Sequence, residues 1–228
     1  MYKIIEDRKD FLIICKDAGV SFHREGESSG LVDIVRSDNG LTELYTVHRL
    51  DKITSGLILL AKHKDSAKKL AIQFRKKIIR KYYLAISDRR PQKKQGLVQG
   101  DMAKARRGGW RLLRTRENPA ITQFFSTAMG NKLRLFILRP YTGKTHQVRV
   151  AMKSLGSPVL GDPLYHKKED AGIDRAYLHS YAISFTLYGR IYRFEHKPDT
   201  GRYFTDQAFL DAMKRYENPW ELEWLEIK

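Results

Sequence analysis

The chain is expected to form a mixed α/β domain, because short apolar runs bounded by turn residues alternate with stretches of helical period. Three observations carry this. Residues 11–15 (FLIIC) and 57–61 (LILLA) are too short and too uniformly apolar for surface helices and suit buried strands. Residues 65–77 place Ala67, Leu70, Ala71 and Phe74 at 3.6-residue spacing, with Asp65 in position to cap a helix. Residues 120–129 and 133–139 are strand-like runs on either side of Gly130-Asn131, a hairpin-type turn. A chain of 228 residues can bury one sizeable core, and a single domain over residues 1–228 is expected.

The elements follow in order. Residues 2–5 and 11–15 read as strands separated by a charged turn. Residues 28–38 read as a short helix with Leu31, Ile34 and Val35 on one face. Residues 47–62, VHRLDKITSGLILLAK, join a charged loop to a polar bend and then to a core strand. Residues two apart in an extended loop point the same way, so Arg49 and Asp51 would face one side together; a weak surface ion pair is the plainer meaning of that pattern. After the 65–77 helix, residues 78–86 read as a strand in which Tyr82 and Tyr83 point to opposite faces, one of them into the core. Residues 87–95 are a charged connector. Residues 100–116 carry Lys104, Arg106, Arg107, Arg111, Arg114 and Arg116 around Trp110. That mixture suits phosphate contact and base stacking, or else a solvated hairpin tip with Trp110 packed inward. Thr145 is placed to cap a helix over residues 146–155, with Val148, Ala151, Met152 and Leu155 buried and His146, Arg149 and Lys153 on another side. Residues 177–187 and 191–195 read as paired strands, and residues 204–216 as a closing helix.

Composition narrows the function. Lys and Arg total 43 against 26 Asp and Glu, a formal charge of +17, which calls for a polyanionic partner. No segment approaches the roughly 20 apolar residues of a membrane span, and the charged start MYKIIEDRKD has no secretory core. Cys15 is the only cysteine, expected to be a buried structural thiol. No histidine or cysteine grouping has metal-ligand spacing, so no metal is expected, and His146 and His179 read as structural. No phosphate-binding glycine loop or dinucleotide fingerprint occurs, so no cofactor is expected. Together these features lead to the expectation of a soluble, cytoplasmic protein whose partner is nucleic acid rather than membrane.

Four stretches carry a family resemblance. HRLDKITSGLILLAK resembles the central motif of the RluA-type pseudouridine synthases. IIRKYYLAI resembles that family's lysine-any-tyrosine strand, PYTGKTHQVRVAMKSLGSPVLGDPLYH its arginine-bearing helix and following loop, and YLHSYAISFTL a late strand. The opening IIEDRKDFLIICKDAGVSFH also resembles the family's first strands, except that Lys16-Asp17 stands where many relatives have a Lys-Pro pair. The match spans about residues 1–200, without the amino-terminal RNA-binding domain that many relatives carry.

What the resemblance implies is an α+β catalytic fold, a bent and mainly antiparallel sheet flanked by helices with a central cleft. It makes Asp51 the nucleophile, Tyr83 the active-site tyrosine that stacks on uracil, and Arg149 the active-site arginine. A carboxylate can attack, form a covalent bond and leave again. It must be ionised to do so, and a neighbouring cation favours that form; Arg149 is the candidate. Arg49 would fill the space left by a flipped base. His48, Thr54 and Leu178 are expected at the substrate, together with Arg106, Arg107, Trp110 and Arg111 of the basic segment. A non-catalytic RNA-binding or ribosome-assembly protein on the same fold is the alternative from another class. An RNA methyltransferase would need a cofactor site that the sequence does not show.

Overall fold

The computed structural model describes residues 1–23, 26, 29–166 and 172–226. In chain order the elements are β1 (Tyr2–Asp7), β2 (Phe11–Lys16), α1 (Leu31–Asp38), β3 (Tyr45–Thr46), β4 (Ser55–Ala61), α2 (Lys64–Arg75), β5 (Arg80–Ser87), β6 (Gln95–Gly100), β7 (Met102–Lys104), β8 (Trp110–Leu112), β9 (Ala120–Gly130), β10 (Leu133–Pro140), α3 (Gln147–Ser154), β11 (Leu178–Leu187), β12 (Arg190–Glu195) and α4 (Gln207–Met213). The strands pair antiparallel in every register described below, and the class is mixed α and β. The chain divides into two compact units, one formed by Met1–Arg80 with Ser180–Lys197, the other by Lys81–His179 with Pro198–Lys228.

In the first unit, β2 lies between β1 and β4, and β11 and β12 extend the sheet beyond β4. Leu12 pairs with Leu60 and Ile14 with Ile58. All of β2 and all of β4 are buried, which explains why both read as continuous apolar runs rather than alternating ones. One face collects Phe11, Ile13, Leu57, Leu59, Ile183 and Phe185 with Leu70 of α2. Phe11 meets Phe185 edge-on at 5.1 Å, a favoured aromatic geometry. Gly56 sits at φ +108°, and a Cβ there would lie 2.3 Å from the Ser180 carbonyl oxygen, so only glycine lets β4 approach β11 this closely.

The ends of α2 differ from expectation. Its cap is His63, whose Nδ1 accepts from the Ser66 N–H at 3.3 Å; Asp65 lies in the first turn and pairs with Lys69 at 2.9 Å. The buried stripe is Ser66 and Leu70, with Ala67 and Phe74 partly buried, and Ala71 faces solvent. Residues 66, 70 and 73–74 follow the helical period, and residue 71 is rotated out of that stripe. Helix α1 begins at Leu31 rather than 28, and Ser28 itself lies outside the described residues.

In the second unit the order is β5-β10-β9-β6, with β7 and β8 forming a separate two-stranded ribbon. The β9–β10 turn is Asn131-Lys132, both at positive φ (46° and 61°), not Gly130-Asn131; Gly130 already pairs with Leu133. Two central positive-φ residues give the turn whose twist matches its strands. On one face of this sheet, Tyr82 is fully buried and packs edge-on against Trp220 at 5.1 Å, while Trp224 lies against Phe125 at 4.9 Å. The tail is fixed there by Gln123, whose Nε2 donates to the Glu223 carbonyl and whose Oε1 accepts from the Leu225 N–H. The closing helix is shorter than expected: α4 starts after Asp206, whose carboxylate accepts from the Phe209 N–H at 2.8 Å. No helix among the described residues is long and apolar enough to cross a membrane.

Candidate active site

The first unit presents Asp51 on the loop that enters β4. Asp51 is half-buried, Arg49 is exposed and Thr54 is buried. The Thr54 N–H donates to the Asp51 carbonyl at 3.0 Å, closing a tight turn at the mouth of the strand. The next residue fixes that turn to the fold. The Lys52 carbonyl accepts from the Gly19 N–H at 2.8 Å and from the Lys16 ammonium at 3.1 Å. Lys16 is fully buried, and its Nζ also donates to the carbonyls of Asp17 (2.8 Å) and Val20 (2.9 Å). A buried cation is tolerated when hydrogen-bond acceptors replace its hydration, and three carbonyls do that here. Lys16 therefore ties the residue beside Asp51 to the 17–20 turn.

His48, expected at the substrate, is held to the fold through its ring. Its Nε2 accepts from the Leu59 N–H at 2.9 Å and its ring stacks on Phe74 at 4.9 Å. These contacts secure the start of the loop against β4 and α2.

The second unit carries Tyr83 and Arg149. Tyr83 is buried on the face of β5 opposite Tyr82 and is paired in register with Leu138. Lys81, two residues away on the Tyr83 face, has its Nζ 3.9 Å from where a Cβ on Gly143 would lie, and burial lowers its pKa to about 8. Helix α3 does not begin with a Thr145 cap. Its cap residue is His146, in the left-handed region at φ 57°, with no side-chain capping bond. The side chain of Gln147 does the anchoring instead. Its Oε1 accepts from the Lys144 N–H and the Thr142 hydroxyl, and its Nε2 donates to the Ile121 carbonyl and the Thr122 hydroxyl.

Arg149 is buried, not at the surface, and it forms a two-pronged bond to Asp162: Nε donates to Oδ2 at 2.7 Å and Nη2 to Oδ1 at 2.9 Å. The fork geometry fixes the plane of the guanidinium. Asp162 Oδ1 also accepts from the N–H groups of Leu164 and Tyr165, so one carboxylate shapes the loop and orients the arginine. The loop is held down at Gly161 (φ +75°), where a Cβ would meet the Arg175 carbonyl at 2.2 Å. Arg149 lies over the Tyr165 ring at 5.1 Å.

The basic segment folds as the β7–β8 ribbon. Arg106, Arg107 and Arg111 are exposed on it and Trp110 is half-buried. Asp101 closes its base, accepting from the N–H groups of Glu117 (3.0 Å) and Asn118 (2.8 Å). The Thr115 hydroxyl and these two N–H groups hold the Asp101 carboxyl below its ordinary range. Leu178, at the start of β11, is buried.

Comparison with known proteins decides the family. A model of the RNA pseudouridylate synthase family matches residues 10–154. A chain from Haemophilus influenzae described as an uncharacterized RNA pseudouridine synthase is 44% identical over 94% of this chain and 95% of its own length. This chain belongs to the RluA-type RNA pseudouridine synthases. The ribosomal large subunit pseudouridine synthase C of Pasteurella multocida is 32% identical over 92% of this chain, which spans 64% of that relative's length. The fold agrees with a solved structure titled human RNA pseudouridylate synthase domain containing 1, at TM-score 0.73 and 23% identity over 87% of this chain and 84% of that one.

Within this synthase, sequence reading singled out Asp51, Tyr83 and Arg149 but not the groups that hold them. Lys16 was visible only as half of an altered Lys-Pro pair. Asp162 lay unmarked in the family-like loop GSPVLGDPLY, and Gln147 and Tyr165 gave no signal of their own. An aspartate just before a proline, thirteen residues after an arginine of helical period, is the pattern that points to Asp162.

Proposed function

We propose that this synthase converts a specific uridine in a tRNA or ribosomal RNA stem-loop to pseudouridine, with Asp51 as nucleophile and the target base flipped from its stack. The observation that carries the reading is the Asp51 turn. A partly exposed carboxylate sits on a loop whose neighbouring carbonyl is held by a buried ammonium, so the group is accessible and its backbone is anchored. Fixed placement of a reacting group lowers the entropic part of the barrier. In the reaction the carboxylate adds covalently, the nitrogen–carbon glycosidic bond breaks, the uracil turns, a carbon–carbon bond forms and the carboxylate leaves. The proton on ring carbon C5 is lost as that carbon becomes glycosidic. Tyr83 is assigned to stacking on the uracil, and Arg149 is taken as the active-site arginine. Arg49, exposed one residue from the buried Leu50, is free in direction to enter the vacated stack. The β7–β8 ribbon supplies phosphate contacts through Arg106, Arg107 and Arg111, with Trp110 beside them. The protein acts as a monomer in the cytoplasm.

Asp51→Asn tests this. It keeps the size of the side chain and removes the nucleophile. The variant is expected to fold, to bind RNA about as well as the wild type, and to release no tritium from RNA labelled at uridine C5, whereas the wild type releases it. Appreciable release by the variant would remove Asp51 from the role. A wild type silent on unmodified tRNA and ribosomal RNA alike would count against both proposed substrate classes.

A further inference from the structure

The β7–β8 ribbon is a two-stranded sheet of its own, with three residues in each strand. Such ribbons are marginal without outside support. Its tip closes through Ala105 N–H to the Gly109 carbonyl (2.8 Å) and Gly109 N–H to the Arg106 carbonyl (3.2 Å), with Arg107 in the left-handed region at φ 57°. Asp101 secures the base. Toward the tip, on β8, the Trp110 backbone N–H donates to the Tyr165 hydroxyl at 2.7 Å. The same hydroxyl lies 3.0 Å from His146 Nδ1, at the cap of α3. A hydroxyl has one hydrogen and two lone pairs, so it serves both bonds whichever ring nitrogen carries the histidine proton. The chain also passes close here: a Cβ on Gly109 would lie 3.7 Å from the Tyr165 ring.

Tyr165 has a second attachment. Its backbone N–H donates to Asp162, the carboxylate that grips Arg149, and its ring faces Arg149 at 5.1 Å and Lys153 at 5.3 Å. One residue thus touches the exposed basic ribbon through its hydroxyl, the buried arginine through its ring, and that arginine's carboxylate partner through its backbone. We propose that Tyr165 is a positioning residue, a latch through which docking of the RNA phosphate backbone on the ribbon fixes Arg149. The proposal rests on the reading of the ribbon as an RNA contact. The ribbon supplies the two-state element, latched or unlatched. Phosphates engaged by Arg106, Arg107 and Arg111 favour the latched form, and by linkage the latched form favours their binding. A single hydrogen bond is worth on the order of 1 kcal/mol, which corresponds to about three- to tenfold in rate or affinity.

Tyr165→Phe removes only the hydroxyl and keeps the ring under Arg149. Three measurements apply: initial rates of tritium release at subsaturating RNA, affinity for a short labelled RNA hairpin across salt concentrations, and amide exchange over Trp110 and α3. The latch predicts release about three- to tenfold slower in Tyr165→Phe, a shallower salt dependence as fewer phosphates are engaged, and faster exchange at Trp110. In an Arg106→Ala/Arg107→Ala background, adding Tyr165→Phe is expected to cost less than about twofold, because the latch then has little to transmit. The same factor in both backgrounds, or wild-type exchange at Trp110, would overturn the latch. So would a fall in rate matched by a general loss of thermal stability, which a packing role alone explains. The exchange arm separates this proposal from the functional one. If the wild type releases no tritium from any RNA, RNA-induced protection of α3 is still expected in the wild type and lost in Tyr165→Phe. Equal protection in both, or none in either, refutes the latch without reference to catalysis.

Discussion

Lys16 in one unit and Arg149 in the other are both buried cations, at 0% and 3% exposure, and they are held in opposite ways. Lys16 is surrounded by the backbone carbonyls of Asp17, Val20 and Lys52. Arg149 is gripped by the side chain of Asp162. A carbonyl is supplied by any residue type, so the neighbours of Lys16 are free to vary in sequence while the anchor persists. A carboxylate comes only from Asp or Glu, and the fork geometry here fits one aspartate at one place. The Asp51 turn is thus secured by chain path, and the Arg149 centre by residue identity.

The largest expected effect breaks the second anchor. Asp162→Ala leaves Arg149 buried without its two-pronged partner and removes the acceptor for Leu164 and Tyr165. Removing one partner of a buried ion pair costs about 3–5 kcal/mol, since the remaining charge is uncompensated. For a chain of this size that is a fall in Tm of roughly 10 °C, read by calorimetry, with turnover lost well before the fold is. A shift of under about 2 °C would mean that Asp162 does not hold Arg149 in the way the geometry indicates.

The first anchor should fail more gently. Lys16→Met keeps the stem and removes the three donors. The carbonyls of Asp17, Val20 and Lys52 each lose a donor, and the Lys52 carbonyl keeps the Gly19 N–H. The expected loss is about 2–3 kcal/mol, accompanied by slower tritium release as the turn at Asp51 loosens. Loss of stability with full activity would show that Lys16 supports the sheet and not the turn.

Much of this contrast lay beyond the sequence. Periodicity and turn residues identified β2, β4, α2, the β9–β10 pair and the β11–β12 pair, because each buries one recognisable face or run. They misplaced ends where side chains outcompeted the usual signals. His63 caps α2 in place of Asp65, and Gln147 anchors the start of α3 in place of Thr145, in both cases through contacts that depend on the local turn. Motif resemblance alone singles out Asp51, Tyr83 and Arg149, the residues proposed above to carry the chemistry. It passes over Lys16, Asp162 and Tyr165, because their meaning lies in partners far away in sequence: Lys52 for Lys16, Trp110 for Tyr165. His48 shows the converse. It sits inside the most recognisable motif, yet its ring nitrogen accepts from Leu59 and its face stacks on Phe74.

The smallest expected effect sharpens the comparison most, because it tests tolerance and not loss. Asp17→Pro would restore the Lys-Pro pair seen in many relatives. Proline has no N–H, and here the Asp17 N–H donates to the Met1 carbonyl at 3.0 Å, continuing the β1–β2 ladder past Tyr2 and Lys16. That bond would be lost, at a cost of about 1 kcal/mol. Against it, proline narrows the unfolded ensemble and returns about 0.4–1 kcal/mol where its geometry fits. The residue before proline must be extended, and Lys16 already is, as the last residue of β2. Proline keeps its carbonyl, so the Lys16 ammonium retains all three acceptors. Stability is therefore expected to change by less than about 1 kcal/mol, with tritium release unchanged. A loss above about 2 kcal/mol, or slower release at unchanged stability, would show that the N–H or the side chain of Asp17 belongs to the anchor, and that the Asp51 turn depends on residue identity after all.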